Sequence, residues 1–246
     1  MQKSLPSLPE MLCSRSLKHD IDELVAMVFP RMRLAVVDDT RTARALGDQV
    51  FRALKSRFEC LHLTLEGVSA ADDVTAAYIR NKSKSCDALI AVGSGTVSDL
   101  CKYASFQDGK PYIVFPTAAT MNGYLSANAS ITIDGYKKTL PAQMPRAVFC
   151  DLSVIAAAPV CLNKSGLGDA LARPTAQADW LLSHLLLNTP YTDVPFSLLK
   201  PLEAALFENA RGIARGDAPS IELLLQTLLL SGFGMTIAGG SYPASQ

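Results

Sequence analysis

A glycine loop carries the clearest chemical signal in the sequence. The segment IAVGSGTVSDLCKY, residues 90–103, joins an apolar run to a helical pattern. Gly93 and Gly95 allow a tight turn close to a ligand, and the N–H groups and dipole at the start of the helix suit a pyrophosphate. Ser98 stands where the dinucleotide fingerprint GxGxxG would have its third glycine. The segment therefore fits a nucleotide-binding loop, and it also fits a plain tight turn.

Polar residues also follow two other predicted strands. Asp38 and Asp39 end the first strand, where a carboxylate can accept hydrogen bonds from ribose hydroxyls. The same pair, with Thr40, can instead cap the next helix. The fourth strand runs into a loop whose small polar residues are Thr117, Thr120, Asn122, Ser126 and Asn128. Such residues form ordinary loops as well, but this edge of a doubly wound sheet is where ligands bind.

The elements that must position these residues alternate along the first half of the chain. The pattern predicts strands at 33–39, 60–67, 87–95, 111–117 and 146–155. It predicts helices at 41–56 and 96–106, and a further helix that follows an N-cap at Ser69. Residues 129–143 fit a hairpin or an excursion from the sheet, with a turn near Asp134-Gly135. Alternating strands and helices indicate a mostly parallel sheet with helices on both faces. This α/β domain is expected to span residues 1–157.

Only helical periodicity follows Pro159. Three segments are predicted, at 166–187, 195–215 and 219–238, and they form an all-α domain over residues 158–246. Pro174 falls inside the first of them and predicts a kink or a late helix start.

Composition excludes several classes of protein. The 246 residues are 49% apolar, and 23 basic residues balance 23 acidic ones. This balance argues against nucleic acid or an anionic membrane as partner, and the longest apolar runs are too short to cross a bilayer. The N-terminus lacks a signal-peptide core, so a cytoplasmic protein is expected. The six cysteines show no CxxC pair, which favours buried reduced thiols.

Three segments in order add a family resemblance. GSGTVSDLCKYAS, FPTAATMNGYLSANASIT and GLGDALARPTAQADWLLSH resemble the bacterial sn-glycerol-1-phosphate dehydrogenases, within the group of iron-containing alcohol dehydrogenases, glycerol dehydrogenases and 3-dehydroquinate synthases. The resemblance covers about residues 30–246. It implies an NAD- or NADP-binding domain, a helical domain that holds a divalent metal, and a small phosphorylated substrate between them. The reaction implied interconverts dihydroxyacetone phosphate and sn-glycerol 1-phosphate, and a homo-oligomer is left open.

The resemblance also implies roles for individual residues. The cofactor-binding residues would be Asp39 at the adenosine ribose, Gly93, Ser94, Gly95 and Thr96 at the pyrophosphate, Asp99 in the loop helix, and Thr117, Thr120 and Ser126 near the nicotinamide. Lys102, Asn122 and Ser126 are the catalytic candidates. Asn122 stands where many relatives have an acid, so it is expected to form hydrogen bonds rather than relay protons. Asp169 matches the first metal ligand.

The resemblance implies two further metal ligands, both histidines, beyond GGSYPASQ. A divalent metal, zinc, nickel or iron, would stabilise negative charge on the substrate's carbonyl oxygen. His19, His62 and His184 offer no substitute; His184 lies fifteen residues after Asp169, about 22 Å along one continuous helix. We therefore expect an incomplete active site in these residues. A Leu-rich patch at 221–238 would then be exposed.

Two other functions stay open at this point. One is a polyol or glycerol dehydrogenase, or a synthase of the same group that uses NAD transiently. A phosphorylated substrate would need a cation near the nicotinamide, which Lys137 or Lys138 could supply. The other is a nucleotide-binding fragment without catalysis.

Overall fold

The architecture is that of a parallel sheet domain followed by helices. A computed structural model of the protein describes residues 9–67 and 70–239. Six strands form one parallel sheet in its first part, and only helices follow the last strand. This arrangement confirms the predicted fold class.

The sheet part contains eight strands, two of which form a separate hairpin. Its elements are β1 Glu10–Ser14, α1 Ile21–Val28, β2 Leu34–Asp39, α2 Thr40–Thr42, a π-helical turn Ala43–Gly47, α3 Asp48–Lys55, β3 Cys60–Leu65, α4 Asp73–Lys82, β4 Ala88–Gly93, α5 Gly95–Asp108, β5 Tyr112–Pro116, a 3₁₀ turn Asn122–Leu125, β6 Asn128–Ile133, β7 Tyr136–Pro141 and β8 Ala147–Asp151. The sheet order is β1-β8-β5-β4-β2-β3, with every pairing parallel.

Alternation along the strands builds a core on each face of the sheet. In β2, Leu34 and Val36 belong to the core under α1 and α3, whereas Ala35 and Val37 belong to the core under α4 and α5. All four are fully buried, as expected for a parallel sheet covered on both sides. The polar ends of these strands are thereby held at one edge of the molecule.

Several boundaries differ from the sequence predictions. The N-terminal strand β1 was not predicted; it pairs with β8 at the edge of the sheet. The run 146–155 is a strand only to Asp151, whose side chain caps the short helix α6, Leu152–Ala156. Asp72 is the N-cap of α4, while Ser69, the predicted cap, lies outside the described residues.

The predicted hairpin is confirmed. β6 and β7 pair antiparallel, and Asp134 and Gly135 form the turn with φ of 52° and 80°. A glycine accepts this left-handed conformation without steric cost, and an aspartate tolerates it better than most residues.

The helical part contains more and shorter helices than predicted. They are α7 Val160–Leu171, α8 Arg173–Leu187, α9 Val194–Ser197, α10 Lys200–Glu208, α11 Ala210–Arg215 and α12 Ala218–Ile237. Of the two alternatives predicted at Pro174, a kink or a late helix start, the structure has the late start, because Pro174 lies in the first turn of α8. The boundary at residue 157 stays a prediction, since one hydrophobic core runs from the sheet into α12.

The expected exposed patch at 221–238 is wrong. In α12, Leu224, Leu225 and Leu228 are fully buried, so this helix is the core of the helical part. The exposed leucines lie instead on α8, where Leu185, Leu186 and Leu187 are 69–73% exposed.

Helix α12 is also long and apolar enough to cross a bilayer by length and composition, with a mean hydropathy of 1.4. Since 61% of that stretch is buried inside the protein, it reads as a core helix. The six cysteines are free thiols, and Cys86, Cys101 and Cys150 are buried. Cys13 and Cys60 are partly buried and Cys161 is exposed, so the predicted burial holds for three of the six.

Candidate functional site

A cleft of about 380 Å³ opens beside the carboxyl ends of β4 and β5. It is lined by Ala70, Ala71, Ser94, Gly95, Thr96, Asp99, Thr120, Met121, Ser130, Thr132, Lys137 and Leu162. A cavity of about 400 Å³ lies near the amino end of β5, at Gly109 and Pro111, but none of the predicted site residues lines it. The chemistry of the lining residues therefore selects the first cleft as the candidate site.

The glycine loop forms one wall of this cleft. Ser94 precedes α5 without capping it through its side chain, so the N–H groups of the first helical turn lack the usual side-chain acceptor. A Cβ on Gly95 would lie 2.9 Å from the sulfur of Met121, and one on Gly93 would lie 2.6 Å from the Cβ of Val97. The approach of the Val97 Cβ requires glycine at position 93, whereas a side chain at position 95 would require Met121 to move. The loop thus presents bare backbone and a helix N-terminus to the cleft, which suits an anion.

The two acids after β2 have different surroundings. The Asp39 side chain accepts hydrogen bonds from the N–H groups of Arg41 and Thr42, at 2.8 and 2.9 Å, and caps α2. Asp38 is fully buried, and its Oδ2 lies 2.7 Å from Nε2 of His62. The capping alternative is therefore present at Asp39. Its partial exposure leaves the ribose alternative compatible with the structure.

Lys102 does not line the cleft, although it was predicted to be catalytic. Its side chain is fully buried, and its Nζ donates to Ser126 Oγ at 3.1 Å, to Asn128 O at 2.8 Å and to Gly123 O. It also forms an ion pair with Asp99 Oδ1 at 3.3 Å. The ammonium group is thus enclosed by four oxygens and joins α5 to the loop 123–128.

Asp99 completes this buried cluster. Its Oδ2 accepts the N–H of Ser130 at 3.3 Å, so one carboxylate binds both Lys102 and the start of the hairpin. Burial raises the pKa of Asp99 and lowers that of Lys102, while each charge favours the ionised form of the other. The pair holds one side of the cleft together.

The threonines and the serine after β5 are placed differently from one another. Thr120 lines the cleft, and its Oγ1 lies 3.2 Å from the hydroxyl of Tyr124. Thr117 is buried, and its N–H donates to Gly93 O at 3.2 Å. Ser126 is also buried, with its hydroxyl within hydrogen-bond distance of Gly123 O and Asn128 O. Only Thr120 of these three offers its side chain to the cleft.

Asn122 and Asp169 are joined directly. The N–H of Asn122 donates to Asp169 Oδ2 at 2.7 Å, and Asn122 Nδ2 donates to Ser231 Oγ at 3.3 Å. Burial raises the pKa of Asp169, and the bond from Asn122 opposes that shift. The bond from Asn122 orients Asp169 through Oδ2. Because the side chain is also partly exposed, its Oδ1 can bind a cation.

The described residues supply only this one metal ligand. They contain no group of three His, Cys, Asp or Glu side chains able to hold a metal ion. His184 is exposed with Nδ1 2.7 Å from Thr189 O, and His62 is paired with Asp38. One carboxylate fits a hard cation, but catalytic zinc takes about three protein ligands, so the part of the chain described by the structure does not form a complete centre.

Several positioning residues were missed by the sequence interpretation. Asn163 is fully buried, accepts the N–H of Ala119 at 3.1 Å and donates to Ile155 O at 3.2 Å. Thr236 Oγ1 accepts the N–H of Ala127 at 2.9 Å. No sequence pattern singled out either residue, because other polar residues stand near both, such as Lys164 beside Asn163 and Ser231 before Thr236.

Two helical glycines bring the helices against the same loop. A Cβ on Gly166 would lie 2.0 Å from Ala119 O, and one on Gly232 would lie 2.0 Å from Asn122 O. Because neither has a side chain, α7 and α12 contact the backbone of the loop directly. The loop from Thr117 to Asn128 is therefore held by both halves of the molecule.

Comparison with known proteins gives the family. Residues 15–159 match the model of the iron-containing alcohol dehydrogenase family. The glycerol-1-phosphate dehydrogenase [NAD(P)+] of Geobacillus thermodenitrificans is 35% identical over 219 residues, which are 87% of this chain and 54% of that protein. The enzyme of the same name from Thermococcus kodakarensis is 33% identical over 242 residues, 98% of this chain and 69% of the relative.

Solved structures agree on the fold. A probable glycerol dehydrogenase from Sinorhizobium meliloti superposes with a TM-score of 0.71 at 24% identity, over 92% of this chain and 65% of its own. An archaeal halo-thermophilic alcohol dehydrogenase from a Red Sea brine pool superposes with a TM-score of 0.80 at 16% identity, over 98% of this chain and 66% of its own. The chain spans little more than half the length of several of its relatives. It belongs to the iron-containing alcohol dehydrogenase family.

Proposed function

We propose that this chain contributes the cofactor-binding side of an NAD(P)-dependent oxidoreductase that interconverts dihydroxyacetone phosphate and sn-glycerol 1-phosphate in the cytoplasm. The observation that carries the proposal is the glycine loop at the N-terminus of α5, which opens into a cleft at the carboxyl ends of parallel strands. Relatives named glycerol-1-phosphate dehydrogenase [NAD(P)+] support glycerol 1-phosphate as the substrate, and dihydroxyacetone phosphate is the ketone that its oxidation would give.

The cofactor roles follow from the placement of each residue. Gly93, Ser94, Gly95 and Thr96 would bind the pyrophosphate through backbone N–H groups, and Asp39 would face the adenosine ribose. Thr120 would contact the nicotinamide side directly. Thr117 and Ser126, being buried, would shape the loop around it.

The catalytic candidates divide into two kinds. Asn122 adjoins Asp169 and would position the substrate through hydrogen bonds. Lys102 and Ser126 are positioning residues in this proposal, because the buried ammonium holds the loop that carries Asn122. The bound cofactor would supply the hydride and a divalent metal would stabilise charge on the carbonyl oxygen.

Asp169 would be one ligand of that metal. Its second oxygen is available while the first is fixed by Asn122, which is how ligating carboxylates are commonly oriented. We propose that the remaining ligands lie outside the described residues. In equilibrium dialysis the protein should bind Zn²⁺ or Ni²⁺ weakly, and Asp169→Ala should abolish that binding. Tight binding that survives Asp169→Ala would contradict this assignment.

Cofactor binding is the direct test of the main proposal. Calorimetry with NADH and NADPH should detect binding to the 246-residue protein, and Gly95→Ala should weaken it about 10-fold or more by displacing Met121. Gly168→Ala is the matched control, because a Cβ at Gly168 meets no atom within 4 Å. If the wild-type protein binds neither nucleotide, the proposal fails.

A glycerol dehydrogenase is the second candidate. It is favoured by the solved glycerol dehydrogenases that share the fold, although their low identity shows the fold alone. The two candidates differ in the need for a phosphate. Binding of glycerol and of sn-glycerol 1-phosphate to the NAD⁺-loaded protein separates them, since only the phosphate ester should bind measurably.

A further inference from the structure

The hairpin β6–β7 presents a cation to the cleft. Lys137 pairs with Thr132 across the two antiparallel strands, and both residues line the cleft. Lys138, the next residue, pairs with Ile131 and so lies on the other face of the hairpin. The strand register therefore selects one of two adjacent lysines.

The hairpin is fixed in this position by backbone contacts. The N–H of Thr132 donates to Ala71 O at 2.8 Å, and the N–H of Ser130 donates to Asp99 Oδ2 at 3.3 Å. A bridge also joins Thr132 to Asp72. Lys137 is thus carried on a strand that is attached to the wall of the cleft.

Its charge is available for a ligand. Lys137 is exposed and forms no ion pair with any residue in the described ranges. Burial raises the pKa of Asp99, and the charges of Lys102 and Lys137 oppose this shift. Lys102 already neutralises Asp99 at 3.3 Å and is enclosed, so Lys137 is the basic side chain that the described cleft lining offers to an anion.

We propose that Lys137 binds the phosphate of the substrate. This inference rests on the proposed function. The cofactor's pyrophosphate already has the N–H groups at the start of α5, whereas a monophosphate of charge near −2 would otherwise face no cation among the residues lining the cleft. A lysine suits it, because its ammonium acts as a point charge with three donors. Lys137 would thereby separate phosphorylated from free polyols.

The test compares two adjacent lysines by calorimetry on the full 246-residue chain. Lys137→Gln should weaken binding of sn-glycerol 1-phosphate to the NAD⁺-loaded protein about 10-fold to 100-fold, the range expected for loss of a charge-assisted contact. Lys138→Gln should change it less than about twofold, since a rim charge facing away contributes little. NAD⁺ affinity should stay within about twofold in both variants, because neither change touches the glycine loop.

Each outcome decides a different statement. Equal effects of the two substitutions overturn the assignment. If Lys137→Gln weakens NAD⁺ binding as much as it weakens binding of the phosphate ester, Lys137 contacts the cofactor's pyrophosphate and the phosphate assignment is wrong. The assignment is also wrong if the wild-type NAD⁺ complex does not bind sn-glycerol 1-phosphate. Absence of NAD⁺ and NADP⁺ binding by the wild-type protein instead refutes the proposed function itself.

Discussion

The two walls of the cleft are built in different ways. The glycine loop joins consecutive elements, β4 and α5, and it contacts Val97 in the same helix and Thr117 and Met121 after the neighbouring strand β5. The loop 117–128 is held by distant residues from α5, α7 and α12, among them Lys102, Asn163 and Thr236. The contacts of the first wall lie within the sheet part, whereas the second wall is also held by helices of the helical part.

This difference matters for function. The contacts of the glycine loop with Val97, Thr117 and Met121 all lie in the sheet part, so cofactor binding should be robust to most substitutions in the helical part. The second wall carries Asn122 and contacts Asp169, so its shape depends on α7 and α12. Substitutions at its distant supports should therefore alter the substrate side first.

The largest expected effect is at Lys102. Lys102→Met removes the cation from a buried carboxylate and three other oxygens, and should lower the free energy of unfolding by about 3–5 kcal/mol. Urea denaturation measures the loss, and Lys55→Met on the exposed end of α3 is the control. A loss below about 1 kcal/mol, the range of a surface pair, would show that the second wall does not depend on this cluster.

Next come the two glycines at the helix–loop contacts. Gly166→Ala and Gly232→Ala should each cost about 1–3 kcal/mol, because the new Cβ would lie 2.0 Å from a loop carbonyl oxygen. Gly168→Ala in the same helix α7 should instead stabilise by about 0.5–1 kcal/mol, since alanine favours a helix and meets no atom. Thermal or urea unfolding of the three variants gives the comparison. Three equal results would remove the argument for direct helix–loop contact.

Asp39 can distinguish a cap from a ribose contact. Asp39→Ala should lose about 1 kcal/mol of stability with the N-cap, whereas Asp39→Asn should retain it. If Asp39 also faces the ribose, both variants should bind NADH more weakly in calorimetry. Full NADH affinity in the two variants would leave capping as its only role.

The smallest effect concerns the pH dependence at Asp38, which faces His62 and Asp48. Burial raises its pKa above the ordinary value of 3.8, so the folded protein holds this proton to higher pH than the unfolded chain. Its contribution to stability therefore falls as pH rises above 3.8 through the raised pKa. The free energy of unfolding of Asp38→Asn should therefore rise relative to that of the wild type as the pH increases from 4 to 7, and urea denaturation at each pH measures the difference.

Asp87 supplies the control of opposite sign. Arg33 lowers the pKa of Asp87 to about 2, so its stabilising contribution is lost only as pH falls below 3.8 toward that value. The difference between Asp87→Asn and wild type should thus stay constant from pH 4.5 to 7. A parallel pH trend in both variants would rule out burial of Asp38 as the cause.

The sequence by itself determined the alternation of strands and helices, the hairpin turn at Asp134-Gly135, the late start of α8 and the glycine loop. Each depends on periodicity or on residue chemistry within a few positions. It did not reveal β1, because that strand is short, partly exposed and defined by pairing with β8, which lies far along the chain.

Only the tertiary structure decided which polar residues face the cleft. Lys102 lies in a motif that suggested catalysis, yet it is enclosed because the loop after β5 folds back over α5. Lys137 and Lys138 are equivalent in sequence, and strand register alone turns one of them toward the cleft. The physical reason is the same for Lys102 and Lys137. Whether a side chain is buried, and which way it points, depends on contacts between segments that are distant in the chain, and local sequence patterns do not encode those contacts.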